Sequence, residues 1–211
     1  MKWYWVKTGK IVKKLFSGYV WDKTVTGNTV YLTFDDGPTP GITTWILELL
    51  KQHDIKATFF CIGKNITANP KLFEQVAAEG HSIGNHTYNH VNGWHTDYKE
   101  YIDDMEACEA TIANKVPVQK LFRPPYGKMK RKQGNFIRKK GYKIIMWDVL
   151  SADFDQSITP LQCLENVINN ATAGSIIIFH DSLKAEKNLR FALPKTIETL
   201  KQKGYNFAAL P

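Results

Sequence analysis

Cysteine is scarce in this sequence: Cys61, Cys108 and Cys163 are an odd number at wide spacings, and no C-x-x-C pair occurs among the 211 residues. That excludes a disulfide framework or a zinc knuckle and leaves three buried or free thiols. Long apolar runs are missing as well. A membrane-spanning helix needs about 20 apolar residues, and nothing here approaches that length. An export signal needs an uninterrupted apolar stretch of about 7–15 residues. Within positions 1–22 only Trp3–Val6 is unbroken, and lysines divide the rest. The expected location is therefore the cytoplasm or the inner face of a membrane. No glycine-rich phosphate loop of the G-x-G-x-x-G or G-x-x-x-x-G-K-S/T type is present, so nucleotide binding has no support. Acids are outnumbered, 20 Asp and Glu against 28 Lys and Arg, for a net charge of +8. No nucleic-acid motif accompanies that excess, which reads instead as a surface for solubility or weak association with anionic polymers.

What is present suits one globular domain. The chain is long enough to bury a substantial core without staples. Positions 1–22 stand apart as an extension in which Lys2, Lys7, Lys10, Lys13 and Lys14 are interspersed with Trp3, Tyr4, Trp5, Ile11, Val12, Leu15 and Phe16. This pattern predicts a helix packed across the domain; its alternative is a peripheral contact with an anionic membrane face. From 23 to 211 short apolar runs alternate with helical stretches. Strands are predicted at Val30–Phe34, Ala57–Ile62, His81–Asn85, Leu121–Arg123, Lys143–Trp147, Ser175–Phe179 and Tyr205–Leu210. Helices are predicted at Thr43–His53, Pro70–Glu79, Asp97–Asn114, Asn135–Lys140, Leu161–Ala171 and Pro194–Lys203. Such a rhythm implies parallel pairing in an α/β architecture, and about seven units point to a barrel.

Chemistry in parallel α/β folds collects at the carboxyl ends of strands, and the most reactive side chains of this sequence fall there. Asp35 and Asp36 end the first strand, ahead of Gly37-Pro38. His86 and His90 follow the third, spaced so that a helical turn would put both imidazoles on one face. Arg123 precedes the rigid Pro124-Pro125 pair. Asp148 and Asp153 follow the strand Lys143–Trp147, and His180-Asp181 follow Ser175–Phe179. Each motif has an ordinary explanation when read alone: an Asp-rich turn, a His-rich loop, a Pro-rich turn, a capped core histidine. Their common rim favours a site. One carboxylate and two imidazoles leave positions open for water and substrate, the arrangement of a catalytic metal. A His at a strand end beside a carboxylate is suited to general-acid work.

Together, Thr33–Pro38, His86–His90, Arg123–Gly127, Asp148–Phe154 and Ile178–Asp181 resemble the ordered motifs of the polysaccharide deacetylase family, the NodB-homology or family 4 carbohydrate esterases. The likeness runs from about Thr29 to Leu210. It implies a distorted (β/α)7-type barrel, with residues 23–211 as the catalytic domain, that removes acetyl groups from a glycan, first of all N-acetyl groups of GlcNAc-type units. By this resemblance Asp36, His86 and His90 hold a divalent metal, and Asp35 is the catalytic base, tethered by Arg123. His180 is the acid, tuned by Asp153. The Tyr126 backbone N–H helps hold the oxyanion, and Phe154 and Ile178 line the acetyl pocket. Zn²⁺ is the first choice of metal, and Co²⁺, Ni²⁺ or Fe²⁺ also suit the ligands. Relatives often carry Trp where Phe154 stands, Leu at Ile178 and an acid at Leu150. These departures bear on the substrate more than on the chemistry. Two alternatives are a same-fold amidohydrolase acting on a small non-sugar amide and a non-catalytic glycan-binding module. A third, a non-haem iron oxygenase, shares the two-His, one-carboxylate set.

Overall fold

A computed structural model describes residues 4–25 and 27–211. Its strands are β1 (Thr29–Asp35), β2 (Thr58–Cys61), β3 (Ser82–Asn85), β4 (Leu121–Phe122), β5 (Lys143–Ile144), β6 (Val149–Leu150), β7 (Ile176–His180) and β8 (Asn206–Phe207). The first seven lie side by side in the order β5-β4-β3-β2-β1-β7-β6, and β8 adds to the start of β1. Every pairing is parallel. The helices are α1 (Lys10–Leu15), α2 (Ile42–Gln52), α3 (Gly63–Ala68), α4 (Pro70–Ala78), α5 (Tyr98–Ala113), α6 (Arg131–Lys139), α7 (Pro160–Ile168) and α8 (Glu186–Gln202). The sheet curls into a distorted barrel of the kind the family resemblance implied, with β5 and β6 as its two edges.

Alternation along the central strands sets the two faces of the sheet. Leu32 and Phe34 of β1 and Ile177 and Phe179 of β7 join the main core with Ile46, Leu50 and Leu193 from the covering helices. Phe34 stacks on Phe59 at 5.0 Å and on Phe179 at 6.4 Å between ring centroids. Burying each such ring contributes about 1.5–3 kcal/mol. Thr33, Asp35 and His180 occupy the alternate positions and turn the other way, into the barrel. Core burial therefore orients the polar residues of these strands.

Three elements differ from the sequence reading. The predicted strand Lys143–Trp147 ends at Ile144, and a separate β6 follows two residues after Trp147. α8 begins at Glu186, not at Pro194, because the proline is accommodated inside the helix. His86–His90 is not helical at all: Thr87 and His90 both have positive φ, 63° and 58°.

The extension also departs from expectation. Lys2 and Trp3 lie outside the described residues. The remainder is not a single packed helix: only α1 is helical, and it buries no side chain. The segment instead fills the seam between the sheet's two edge strands, β5 and β6. Val20 pairs in parallel with Ile145, and Lys7 pairs antiparallel with Val149. Val20 N–H donates to the Ile144 carbonyl at 2.8 Å, and Leu150 N–H donates to the Val6 carbonyl at 2.8 Å. Unpaired strand edges are a liability that proteins cover, and here the extension covers both.

Asp148 locks that seam. It was expected on the catalytic rim, but it lies beside Ser175 at the opposite, amino end of β7. Its buried carboxylate accepts from Lys7 at 2.6 Å, Lys13 at 2.5 Å and the Ser175 hydroxyl at 2.5 Å. Burial raises its pKa, but the two ammonium groups and the hydroxyl outweigh that and lower it. A carboxyl whose pKa is lowered on folding contributes stability above its unfolded pKa, near 3.9, and loses it as pH falls through the folded value. Asp148→Asn should cost about 2–4 kcal/mol, seen as a lower urea midpoint, and should expose residues 4–22 to proteolysis. A wild-type midpoint with unchanged protease resistance would show that the seam does not depend on this ion cluster.

Candidate active site

Asp35 and Asp36 are neighbours in sequence but serve different places. Asp35 is the last residue of β1, held opposite His180 of β7 and Phe60 of β2 by strand register. The residue is buried, with its side chain 3% exposed. Oδ1 accepts from Arg123 Nη1 at 2.7 Å, and Oδ2 lies 3.7 Å from His86 Nε2. Asp36 lies beyond the strand with φ at 87°, which swings its side chain toward the histidines. Its Oδ1 lies 3.3 Å from His90 Nε2 and 3.8 Å from His86 Nε2.

Asp36, His86 and His90 each offer one ligand atom, and these atoms lie within 4.8 Å of one another. The fit of this cluster to a metal rests on three observations. Asp36 Oδ1 is buried and has no hydrogen-bond partner, and an orphaned buried acceptor costs about 1–3 kcal/mol unless something binds it. His86 Nδ1 lies 2.7 Å from the Arg123 carbonyl. A carbonyl only accepts, so the proton sits on Nδ1 and the Nε2 lone pair faces the cluster. Burial, with His90 nearby, holds the His86 pKa well below the usual range, and burial lowers that of His90. Neutral imidazole is the form that ligates metal.

Arg123 is fully buried, and each of its nitrogens has an acceptor. Nη1 donates to Asp35 and to the Thr33 hydroxyl at 2.8 Å, Nη2 to the Met146 carbonyl at 2.9 Å, and Nε to the Ile145 carbonyl at 3.2 Å. Its guanidinium lies over the Phe60 ring, 4.1 Å from the centroid. The guanidinium does not grip the carboxylate with two nitrogens: Nη1 alone holds Asp35, and the other nitrogens are spent on the barrel wall. Asp35 Oδ2 therefore remains free of Arg123.

His180 ends β7, with Asp153 beneath it. Asp153 Oδ1 lies 2.7 Å from His180 Nδ1, and Oδ2 accepts the His180 backbone N–H at 2.7 Å. Burial alone would lower the imidazole pKa. The charge and hydrogen bond of Asp153, helped by Asp36 and Asp35, reverse this and raise it to about 9. Phe154 meets the His180 ring edge-on at 5.1 Å. Ile178 is buried one layer below His180 on the same face of β7. Tyr126 sits in a short 3₁₀ turn, Pro125–Gly127, at φ 60°, and its ring lies 4.6 Å from that of His90.

Positive φ is uncommon outside glycine and concentrates at functional sites. Seven described non-glycine residues show it. Asp36, Thr87, His90, Tyr126 and Ala152 belong to these loops, so most of the backbone strain surrounds this one cluster.

Some supporting residues were not assigned a role from sequence. Asp181 accepts the Gly37 N–H at 2.8 Å and the Thr43 hydroxyl at 2.5 Å. A Cβ on Gly37 would collide with that carboxylate, so the glycine is required where Asp36 turns. Asp104, on α5, accepts the Tyr88 and Asn89 backbone N–H groups at 2.8 and 2.9 Å and braces the loop that bears His90. The adjacency of Asp181 to His180 was visible in sequence, but its target across 144 residues was not. Nothing in the sequence around Asp104 signalled its role.

The sequence profile of a family described as polysaccharide deacetylase matches residues 22–145. A Bacillus cereus protein named peptidoglycan-N-acetylglucosamine deacetylase is 37% identical over 185 residues, covering 86% of this chain. This chain spans 66% of that relative's length. A solved peptidoglycan N-acetylglucosamine deacetylase, in complex with 4-naphthalen-1-yl-N-oxidanyl-benzamide, superposes with a TM-score of 0.87 at 35% identity, over 92% of this chain and 91% of that one. A Bacillus anthracis structure described as a CE4 family pseudoenzyme gives a TM-score of 0.81 at 25% identity, over 90% of this chain and 66% of its own.

Proposed function

The chain belongs to the polysaccharide deacetylase family, and from that premise we propose that it hydrolyses N-acetyl groups of GlcNAc-type units in a glycan, with a divalent metal held by Asp36, His86 and His90. The observation that carries this reading is the separation of a base and an acid around one cluster: Asp35 beside the imidazoles, and His180 paired with Asp153. A cation at the triad supplies Lewis acidity for the acetyl carbonyl and a more acidic water, and Zn²⁺ is the first candidate.

The chain's own residues do the rest. Asp35 Oδ2 takes the proton of the attacking water while Arg123 fixes Oδ1, so the carboxylate cannot rotate away. His180 gives a proton from Nε2 to the departing nitrogen, because Asp153 engages Nδ1. The Tyr126 N–H is assigned to the developing oxyanion, and Phe154 and Ile178 bound the space for the acetyl methyl. A non-catalytic glycan-binding module would have no need of this acid–base pair. The direct test is acetate release from defined acetylated chito-oligosaccharides, xylan fragments and small linear and cyclic amides, with and without chelator. Chelator-sensitive release from the amino-sugar substrates is expected. Turnover of the small amides alone would transfer the assignment to a non-sugar amidohydrolase.

The pH dependence has a definite sign. His180 must be protonated to act, so kcat/KM falls as pH rises through its pKa, about 9. A cation at the triad moves that limb lower, since positive charge disfavours the imidazolium. Asp153→Asn removes the charge that raises the pKa. Its alkaline limb should lie at least about one pH unit below the wild type, with a lower plateau. Coincident limbs would separate His180 from the acid role.

A further inference from the structure

The extension does more than fill the seam. Antiparallel pairing of Lys7 with Val149, and the bond from the Leu150 N–H to the Val6 carbonyl, carry it along β6 to the loop at the catalytic rim. There Trp5 turns out to solvent, 69% exposed. Tyr4 is partly buried, as the alternation of an extended chain requires. Its hydroxyl donates to Asp155 Oδ2 at 2.5 Å. Burial, then the bond and charge of Asp155, raise the phenol pKa, so the group stays a donor. The Tyr4 ring meets Phe154 edge-on, 5.8 Å between centroids. Among the described residues, Tyr4 and His180 are the two rings that meet Phe154. The loop itself is under strain. Ala152 has a φ of 58°, which persists outside glycine only where the surroundings impose it. Asn166 donates to the Ser151 carbonyl at 3.0 Å, and Asn188 donates to the carbonyls of Asp153 and Asp155 at 3.0 and 3.2 Å. Those bonds hold the backbone. Tyr4 holds the Asp155 side chain and the Phe154 ring together.

We propose that Tyr4 is a positioning residue of the acyl site: by holding the Phe154 ring it sets the width of the space for the acyl methyl, and with it the preference for acetyl over longer acyl groups. The assignment rests on the deacetylase reading and adds to it the determinant of acyl-group size. A phenylalanine ring turns about two side-chain bonds, and close packing from both sides keeps it in one orientation. The His180 ring, tied to Asp153, supplies one of those contacts and Tyr4 the other. With the Tyr4 ring removed, Phe154 gains volume to swing into, and the space it bounds widens. Ile178, the other bound of that space, is buried in β7 and stays in place, so the change in width comes from Phe154. Apolar sites discriminate one methylene by about 10–200-fold, so a partial widening is readable in the choice between acetyl and propionyl. The extension therefore has two roles, covering the open sheet edges and completing the catalytic rim.

The test compares kcat/KM of the full chain on chitotetraose carrying N-acetyl groups and on the same tetrasaccharide carrying N-propionyl groups. In Tyr4→Ala the acetyl-over-propionyl ratio should fall about fivefold, a fraction of the usual one-methylene discrimination. Tyr4→Phe keeps the ring edge against Phe154 and should restore the ratio to within about twofold of wild type. Tyr4→Leu guards against an alanine variant that fails to fold: it keeps apolar bulk, lacks the ring edge, and should lower the ratio in the same direction. An unchanged ratio in a variant with a cooperative thermal transition would overturn the proposal, whether turnover is kept or falls equally on both substrates. Lost fold does not sort acyl groups by size. A second readout is independent of turnover. With 4-fluorophenylalanine at position 154, the otherwise wild-type chain should give one narrow ¹⁹F line, and Tyr4→Ala a displaced, broadened one. An unmoved line would also overturn the proposal. Release of neither acetate nor propionate by the wild type would defeat the deacetylase reading, and the fluorine line would still decide whether Tyr4 positions Phe154.

Discussion

Asp35→Asn is expected to leave bound metal at the wild-type level and to lower acetate release by about 10²–10⁴-fold, the usual worth of a positioned general base. The substitution keeps the size and shape of the side chain. The amide oxygen can still accept from Arg123 Nη1, now at 2.7 Å from Asp35 Oδ1, so the group remains at the end of β1. What disappears is an oxygen able to take a proton on the side facing His86. Asp35 is not among the three clustered ligands, so metal content measured by elemental analysis should not change. The variant also leaves a buried guanidinium without its anion, a change that costs about 3–5 kcal/mol where no other partner remains. Here Thr33 and the carbonyls of Ile145 and Met146 still hold Arg123. A cooperative thermal transition measured in parallel separates lost chemistry from lost fold. Turnover within tenfold of wild type in the folded variant would remove Asp35 as the base.

The second large effect is on metal content. His86→Ala should reduce occupancy from about one ion per chain to a small fraction of that, with activity falling to background. Three ligands are the minimum seen in catalytic sites of this type, and the variant keeps only Asp36 and His90. Loss of even an outer-shell partner typically costs 10–100-fold in metal affinity, and loss of a ligand costs more. His86 is also the ligand whose orientation is best determined, because its Nδ1 is engaged by the Arg123 carbonyl. Unchanged occupancy after dialysis against a metal buffer would refute the triad as the binding set.

The parts of the site legible in the sequence were those that sit in one short segment or on one rim. Asp35-Asp36, His86 with His90, Arg123 and His180 were found because strand ends are marked by the change from an apolar run to polar residues. Asp148 shows the limit of that logic. It follows an apolar run as closely as the others do, but the run breaks early: Lys143–Ile144 is one strand and Val149–Leu150 another. The aspartate thus begins a strand where it was expected to end one, and it faces lysines from the extension. The His86–His90 segment was grouped correctly through a helical spacing that the backbone does not adopt. Positive φ at Thr87 and His90 brings the rings together by another path, and no spacing rule encodes that path.

The extension was the least legible segment. Its mixture of lysines and aromatics is compatible with a buried helix, an interfacial helix or a plain strap. The choice depended on the unpaired edges of β5 and β6, which are separated in sequence from it by more than 100 residues. By itself the sequence determined the α/β rhythm, the family resemblance and the identity of the polar residues at the strand ends. These follow from local rules: apolar periodicity, strand length, and the abrupt polarity change at Asp35, His86 and His180. Only the tertiary structure decided that a single nitrogen of Arg123 holds Asp35, that Asp148 belongs to the seam, and that Asp181 and Asp104 shape the loops around the triad. Each of those outcomes depends on which distant backbone and charge lie within about 3 Å of a side chain. That is a property of the folded chain as a whole, not of any segment within it.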